Sequence, residues 1–145
     1  MKGREDEGVQ IMLHPVGYVR SPYKKRGDAP RQGRLSDAIA EIVIDPRYQE
    51  CLFRLEGTEQ LIILAWFDRA HRNLMHVTPP GTDIEHGVFA TRSPDRPNPI
   101  GFSVVDLIGI HTGVLEVRYL DSLDGTPVLD IKPYIPELDS PPSVV

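Results

Sequence analysis

Arg92, Ser93, Asp95, Arg96 and Asn98 crowd into one short stretch, Arg92-Ser93-Pro94-Asp95-Arg96-Pro97-Asn98-Pro99. Two guanidinium groups beside a hydroxyl, a carboxylate and an amide suit the binding of a carboxylate or a phosphate. The prolines at 94, 97 and 99 fix φ and remove backbone donors, so the loop is stiff and cannot join a sheet interior. A loop that only reverses the chain more often carries Asn-Gly or Asp-Gly. Stiff polar loops held on strands are where function tends to sit. The same residues also read as a surface ion pair of little worth, with prolines guarding a sheet edge.

The elements that must hold this loop are mostly strands. Residues 87–91 and 100–111 frame it as a strand on each side. Upstream, residues 9–19 are apolar and β-prone but broken by Pro15 and Gly17, which predicts one bent strand or two short ones. Residues 24–34 are basic and carry Gly27, Pro30 and Gly33, a loop that is either simply solvated or an arm that meets phosphate or cofactor. Residues 38–44 read as a strand. Asp45-Pro46 then starts a helix, with Asp as N-cap and Pro in the first turn, and Tyr48, Cys51, Leu52 and Leu55 form its apolar stripe up to Gly57. Cys51 reads as a small core residue on that helix. Residues 61–67 form a continuous apolar run consistent with burial on both faces, and its end, Asp68, Arg69, His71 and Arg72, emerges at a rim. Residues 75–78 read as a short strand. Residues 114–120 alternate after the Thr112-Gly113 turn, and 126–131 form the last strand after Asp124-Gly125.

Many short strands with one helix predict a mainly β, single-domain β-barrel or closed sandwich with one substantial helix. The βαβ alternation of a doubly wound Rossmann fold is missing. The 145 residues suit one domain, with 1–8 a charged arm, 9–136 the barrel and 137–145 an irregular tail. No apolar run is long enough to span a membrane, and the first ten residues lack an apolar signal core, which points to the cytoplasm.

Chemistry is pruned by absence. There is no G-x-G-x-x-G, P-loop or G-x-S-x-G motif. His71, His76 and His86 lack the H-E-x-x-H spacing, so no metal is expected. Ser93 has no evident base partner. Net charge is −5, yet six of the 16 Lys and Arg residues lie between Arg20 and Arg34, and Arg69, Arg72, Arg92 and Arg96 extend a candidate basic face.

Four ordered segments carry a resemblance over residues 16–136: Val16-Gly17-Tyr18-Val19-Arg20-Ser21-Pro22-Tyr23, then Pro30-Arg31-Gln32, then ATRSPDRPNPIG from Ala90, then DGTPVLDIKPY from Asp124. Together they resemble the TsaA/TrmO family of S-adenosylmethionine-dependent tRNA adenine-N6-methyltransferases. The resemblance implies a single β-barrel, a homodimer with its site near the subunit interface, and N6 methylation of threonylcarbamoyl-adenosine beside the tRNA anticodon. It also implies cofactor contacts from Arg31, Gln32 and Gly33, from Phe67 and Asp68, from Arg92 and Phe102, and from Leu123, Asp124, Gly125, Thr126 and Pro127. Asp68 stands where many members carry histidine, so a contact there would come from the backbone. The amides of the Asp124 turn and the Thr126 hydroxyl would hold the amino-acid end of the cofactor. Arg96, Lys132 and Tyr134 would meet substrate, although Asp130 and Lys132 read equally as a salt bridge along one strand face.

Methyl transfer to an adenine amine needs an acceptor for its N–H, so that lone-pair density is freed. Asp124 and the backbone carbonyls of Asn98 and Pro99 are the catalytic candidates. Two other readings remain. One is a module that binds S-adenosylmethionine or a nucleotide without catalysis. The other is a small hydrolase or isomerase using Asp124 or Asp68 as base.

Overall fold

The computed structural model describes residues 8–30 and 36–142. Six antiparallel strands close a barrel in the order β1 (Gly17–Arg20), β2 (Ile39–Ile44), β7 (Val114–Arg118), β6 (Ile100–His111), β3 (Gln60–Trp66), β8 (Pro127–Pro133), which pairs back to β1. A separate two-stranded ribbon pairs β4 (His76–Val77) with β5 (His86–Gly87). The mainly β barrel expected from the sequence is the fold observed.

Alternation explains the core. Val19 on β1, Ala40, Ile42 and Ile44 on β2, Leu61 and Ile63 on β3, Val105 on β6, Leu115 and Val117 on β7 and Val128 on β8 all point inward and are buried. Their neighbours Tyr18, Arg20 and Glu41 face outward. Gly17 is required where it stands: a Cβ there would collide with the carbonyl of Val43 on the adjacent strand.

The substantial helix begins where Asp45 and Pro46 predict it, as a 3-10 helix over Pro46–Leu52. The Asp45 carboxylate accepts from the Arg47 amide at 2.9 Å, the expected cap. Tyr48, Leu52 and Leu55 pack on the core, but Cys51 is exposed rather than a core residue, because the tighter 3-10 turn rotates it off the apolar face.

Two strand expectations are corrected. Residues 9–16 form no strand, since both edges of β1 are already taken by β2 and β8, and Ile11, Met12 and Leu13 stay exposed. Residues 87–91 are not a strand but the end of β5 followed by a 3-10 turn, Val88–Ala90, in which only Val88 is buried. At the other end of the chain, Pro136–Asp139 forms one α-helical turn, α1.

Candidate active site

The register brings four segments to one rim. Tyr18 pairs with Pro127, Ala65 with Val128 and Trp66 with Ile100. The end of β1, the end of β3, the start of β6 and the start of β8 therefore lie together. The segments that continue from them are 21–24, 67–72, 92–99 and 121–126.

The turn before β8 is stitched to the segment after β1. The Asp124 amide donates to the Tyr23 carbonyl at 2.6 Å and the Gly125 amide to that of Val19 at 2.7 Å. The buried Ser21 hydroxyl donates to the Ser122 carbonyl at 2.8 Å. The Thr126 amide and hydroxyl both donate to the Leu123 carbonyl, at 3.1 and 2.6 Å. The amides and the Thr126 hydroxyl that the resemblance assigns to the cofactor are paired within the turn, and Thr126 is buried. What the turn presents is a carboxylate. One Asp124 oxygen accepts from the Ser21 amide at 3.0 Å, and the other meets the Lys24 ammonium at 3.1 Å. The Ser21 amide and the Lys24 side chain hold the Asp124 carboxyl below the usual carboxylate range. Near neutral pH it is an anion, a good hydrogen-bond acceptor and a weak base.

The proline loop is braced from within and from outside. Arg96 donates to the carbonyls of Thr91 and Ser93 at 3.1 Å each and to that of Val88 at 3.2 Å. These bonds make Arg96 an internal brace rather than the free substrate contact expected of it. The Asp95 amide donates to the Ser93 hydroxyl at 3.2 Å, but its carboxylate does not pair with Arg92 or Arg96. The carboxylate accepts from the His71 amide at 2.9 Å and meets Arg26 at 3.3 Å. Burial raises the Asp95 carboxyl, but the His71 amide and the Arg26 guanidinium outweigh that and hold it below the ordinary range. Arg92 is exposed, with its guanidinium 5.9 Å from the centre of the Phe102 ring and no hydrogen bond within the described residues.

The backbone carbonyls named as acceptors are already engaged. That of Asn98 accepts from the Ile100 amide at 2.7 Å, and that of Pro99 from the Phe67 amide at 2.8 Å. The Phe67 ring lies against Gly101 so closely that a Cβ there would overlap it. Asp68 is exposed beside it. Arg69, which follows, ties the rim together by donating to the carbonyls of Lys24 at 3.0 Å and Asp124 at 3.4 Å. Next to Asp124 a groove of about 580 Å³ is lined by Tyr18, Arg20, Lys24, Glu41 and Gly125. Its size falls within the range of small-molecule sites.

The family model of the tRNA-methyltransferase O N-terminal domain matches residues 18–140. The chain belongs to this family. It is 51% identical over 129 residues to the S-adenosyl-L-methionine-binding protein of Archaeoglobus fulgidus, covering 89% of this chain and 93% of that protein. It is 42% identical over 143 residues to the tRNA (adenine(37)-N6)-methyltransferase of Escherichia coli, covering 91% of this chain and 61% of that protein. Crystal structures of TrmO are similar too. One, from Pseudomonas aeruginosa, gives a TM-score of 0.75 at 39% identity over 91% of this chain and 58% of that one. Another gives 0.79 at 38% identity over 94% and 63%. The chain therefore spans less than two thirds of those longer proteins.

In this TrmO-family barrel two expected substrate residues fall away from the rim. Lys132 pairs with Ile62 in register, five residues along β8 from Pro127, which is roughly 17 Å at the rise of an extended strand. It meets Asp130 at 3.4 Å, the strand-face salt bridge that was the alternative reading. Tyr134 lies beyond it, with its hydroxyl 3.0 Å from that of Ser140. Arg31, Gln32 and Gly33 lie outside the described residues. The sequence reading missed Ser21 and Lys24 as partners of Asp124, because no pattern links residues a hundred positions apart. Arg69 and Arg72 were legible as charges leaving a buried strand.

Proposed function

We propose that this chain is an S-adenosyl-L-methionine-dependent methyltransferase that methylates N6 of an adenine in tRNA. The adenine is the threonylcarbamoyl-adenosine beside the anticodon. The observation that carries the reading is the fixed Asp124 carboxylate, held ionised by Ser21 and Lys24 on the rim of a TrmO-family barrel. The named activity of the Escherichia coli relative and the named ligand of the Archaeoglobus relative support it.

The bound cofactor supplies an activated methyl group on a sulfonium. Arg92, backed by the Phe102 ring, would meet its carboxylate, and Phe67 and Leu123 would offer it apolar surface. The Asp124 carboxylate accepts the N6–H of the adenine and frees lone-pair density on nitrogen. A carboxylate whose charged form is favoured by Ser21 and Lys24 is a weak base, so the proton leaves late to solvent. Alignment of amine and methyl group accounts for most of the acceleration. Lys24 and Arg26 are paired with Asp124 and Asp95, so Lys25 and Arg69 give the rim the charge that RNA phosphates require.

The acting unit is the barrel of residues 9–136, as a homodimer in the cytoplasm. Exposed Met12, Met75 and Phe89, at 81%, 74% and 87%, supply apolar surface for the subunit contact. A second reading, a module that binds the cofactor without catalysis, is favoured by the name of the Archaeoglobus relative, which matches over most of its length.

Titration calorimetry with S-adenosyl-L-methionine followed by methyl transfer to tRNA tests both. Saturable binding with transfer that depends on the threonylcarbamoyl group is the expected result. Binding without transfer to any tRNA selects the second reading. An active species that sediments as a monomer contradicts the dimer.

A further inference from the structure

Arg72 stands at the same rim. Its Nε donates to the Pro97 carbonyl at 2.8 Å, one Nη donates to Oδ1 of Asn98 at 3.2 Å, and its guanidinium lies 5.0 Å from the centre of the Trp66 ring. One planar cation is thus fixed by two hydrogen bonds and a ring. A guanidinium carries donors only, so the Asn98 atom that faces it is the amide oxygen. The amide nitrogen is turned away, and no described residue accepts from it. The Asn98 backbone is pinned as well, by Ile100 on its own carbonyl and by the buried Pro99 that follows, whose carbonyl holds Phe67. Asn98 therefore offers an oriented donor at an exposed position, not a freely turning surface amide.

N6 of a threonylcarbamoyl-adenine carries a single hydrogen, so the base shows that donor next to a ring-nitrogen acceptor on one hydrogen-bonding edge. An asparagine meeting N6–H itself would have to present oxygen, and Arg72 has taken the oxygen. We propose that Arg72 is a positioning residue that turns the Asn98 amide so that Nδ2 donates to a ring nitrogen of the target adenine, while Asp124 takes the adjacent N6–H. The inference rests on the methyl-transfer reading and adds the base-selecting pair: one acceptor and one donor, which match adenine and mismatch guanine.

Asn98→Asp is the decisive variant. It keeps an oxygen toward Arg72, exchanges the outward donor for an acceptor and adds a negative charge that the Arg72 guanidinium offsets. Transfer to tRNA is expected to fall roughly 10- to 100-fold, the worth of one paired base contact, with S-adenosyl-L-methionine affinity unchanged. Arg72→Ala is expected to lose a similar factor alone and to add nothing in an Asn98→Ala background. Wild-type transfer by Asn98→Asp, or full additivity of the two alanine variants, overturns the proposal. A readout independent of activity is the side-chain amide resonance pair of Asn98 in 15N-labelled protein. Arg72→Ala is expected to shift and broaden it, and an unchanged pair overturns the assigned orientation. Should the wild-type protein methylate no tRNA, the methyl-transfer reading fails on its own, and the resonance pair still decides whether Arg72 sets the amide.

Discussion

The turn at residues 121–126 and the loop at 92–99 flank β3 on its two sides, and they reach the rim with opposite chemistry. In the turn, folding consumes the donors: the amides of Asp124, Gly125 and Thr126 and the Thr126 hydroxyl are all paired, and a carboxylate remains. In the loop, proline removes donors and arginines consume acceptors. Arg96 and Arg72 between them occupy the carbonyls of Val88, Thr91, Ser93 and Pro97. What remains there is the Arg92 guanidinium and the Asn98 amide nitrogen. One side of the site accepts and the other donates, and in both cases the functional group is what the fold's own hydrogen bonding left over.

The largest test of that division is Asp124→Ala. Transfer is expected to fall about 100-fold or more, as when a preorganised electrostatic group is removed, while Asp124→Asn, which keeps one acceptor oxygen, falls less. Single-turnover transfer measures it, and a wild-type rate in the alanine variant would move the acceptor elsewhere. Next is Arg96→Ala, which strips donors from three carbonyls at once. A loss of about 2 kcal/mol of stability is expected in urea unfolding, with little recovery in Arg96→Lys because an ammonium lacks the planar fork. Arg92→Ala is the contrast within the same loop. It should leave the unfolding curve in place and weaken S-adenosyl-L-methionine binding about tenfold in calorimetry, the worth of one charge-assisted hydrogen bond. Unchanged affinity removes Arg92 from the site.

The smallest effect concerns the turn's other carboxyl. Burial pushes Asp121 up, against a lesser opposite pull from its own backbone amide. Asp124 is held low and contributes stability above the ordinary carboxylate range, which is lost as pH falls through its folded value. Asp121 has the opposite sign: its ionisation costs stability as pH rises through the range. Asp121→Asn should raise the thermal midpoint near about pH 7 and leave it unchanged near about pH 3, where the Asp121 carboxyl is protonated and as neutral as the asparagine that replaces it. A uniform shift at both would assign the effect to packing.

The barrel was largely legible because its strands alternate, and Val114–Arg118 shows that pattern in five residues. Residues 87–91 were misread because Val88 and Phe89 are apolar and β-prone, yet only Val88 finds a core. The site was legible as segments and not as an arrangement. Asp124 and Lys132 belong to one continuous motif, but an extended strand carries them to opposite ends of the barrel. Ser21 and Asp124 look unrelated in sequence, and the closure of β1 on β8 puts them in contact. Proximity along a strand misleads, and proximity across a sheet is invisible until the strand order is known.

Strand β8 is the last stave in the chain and the one that joins β1 to β3. Until it pairs, the barrel is an open sheet with two free edges, and Asp124 has neither its Ser21 amide nor its place beside the loop. A chain emerging from the ribosome thus carries the loop at 92–99 well before it carries a site, and closure must bring ends over a hundred residues apart together. Such long-range pairing is slow, and its open edges invite strand exchange between nascent chains. Binding competence in this protein should therefore appear late and all at once.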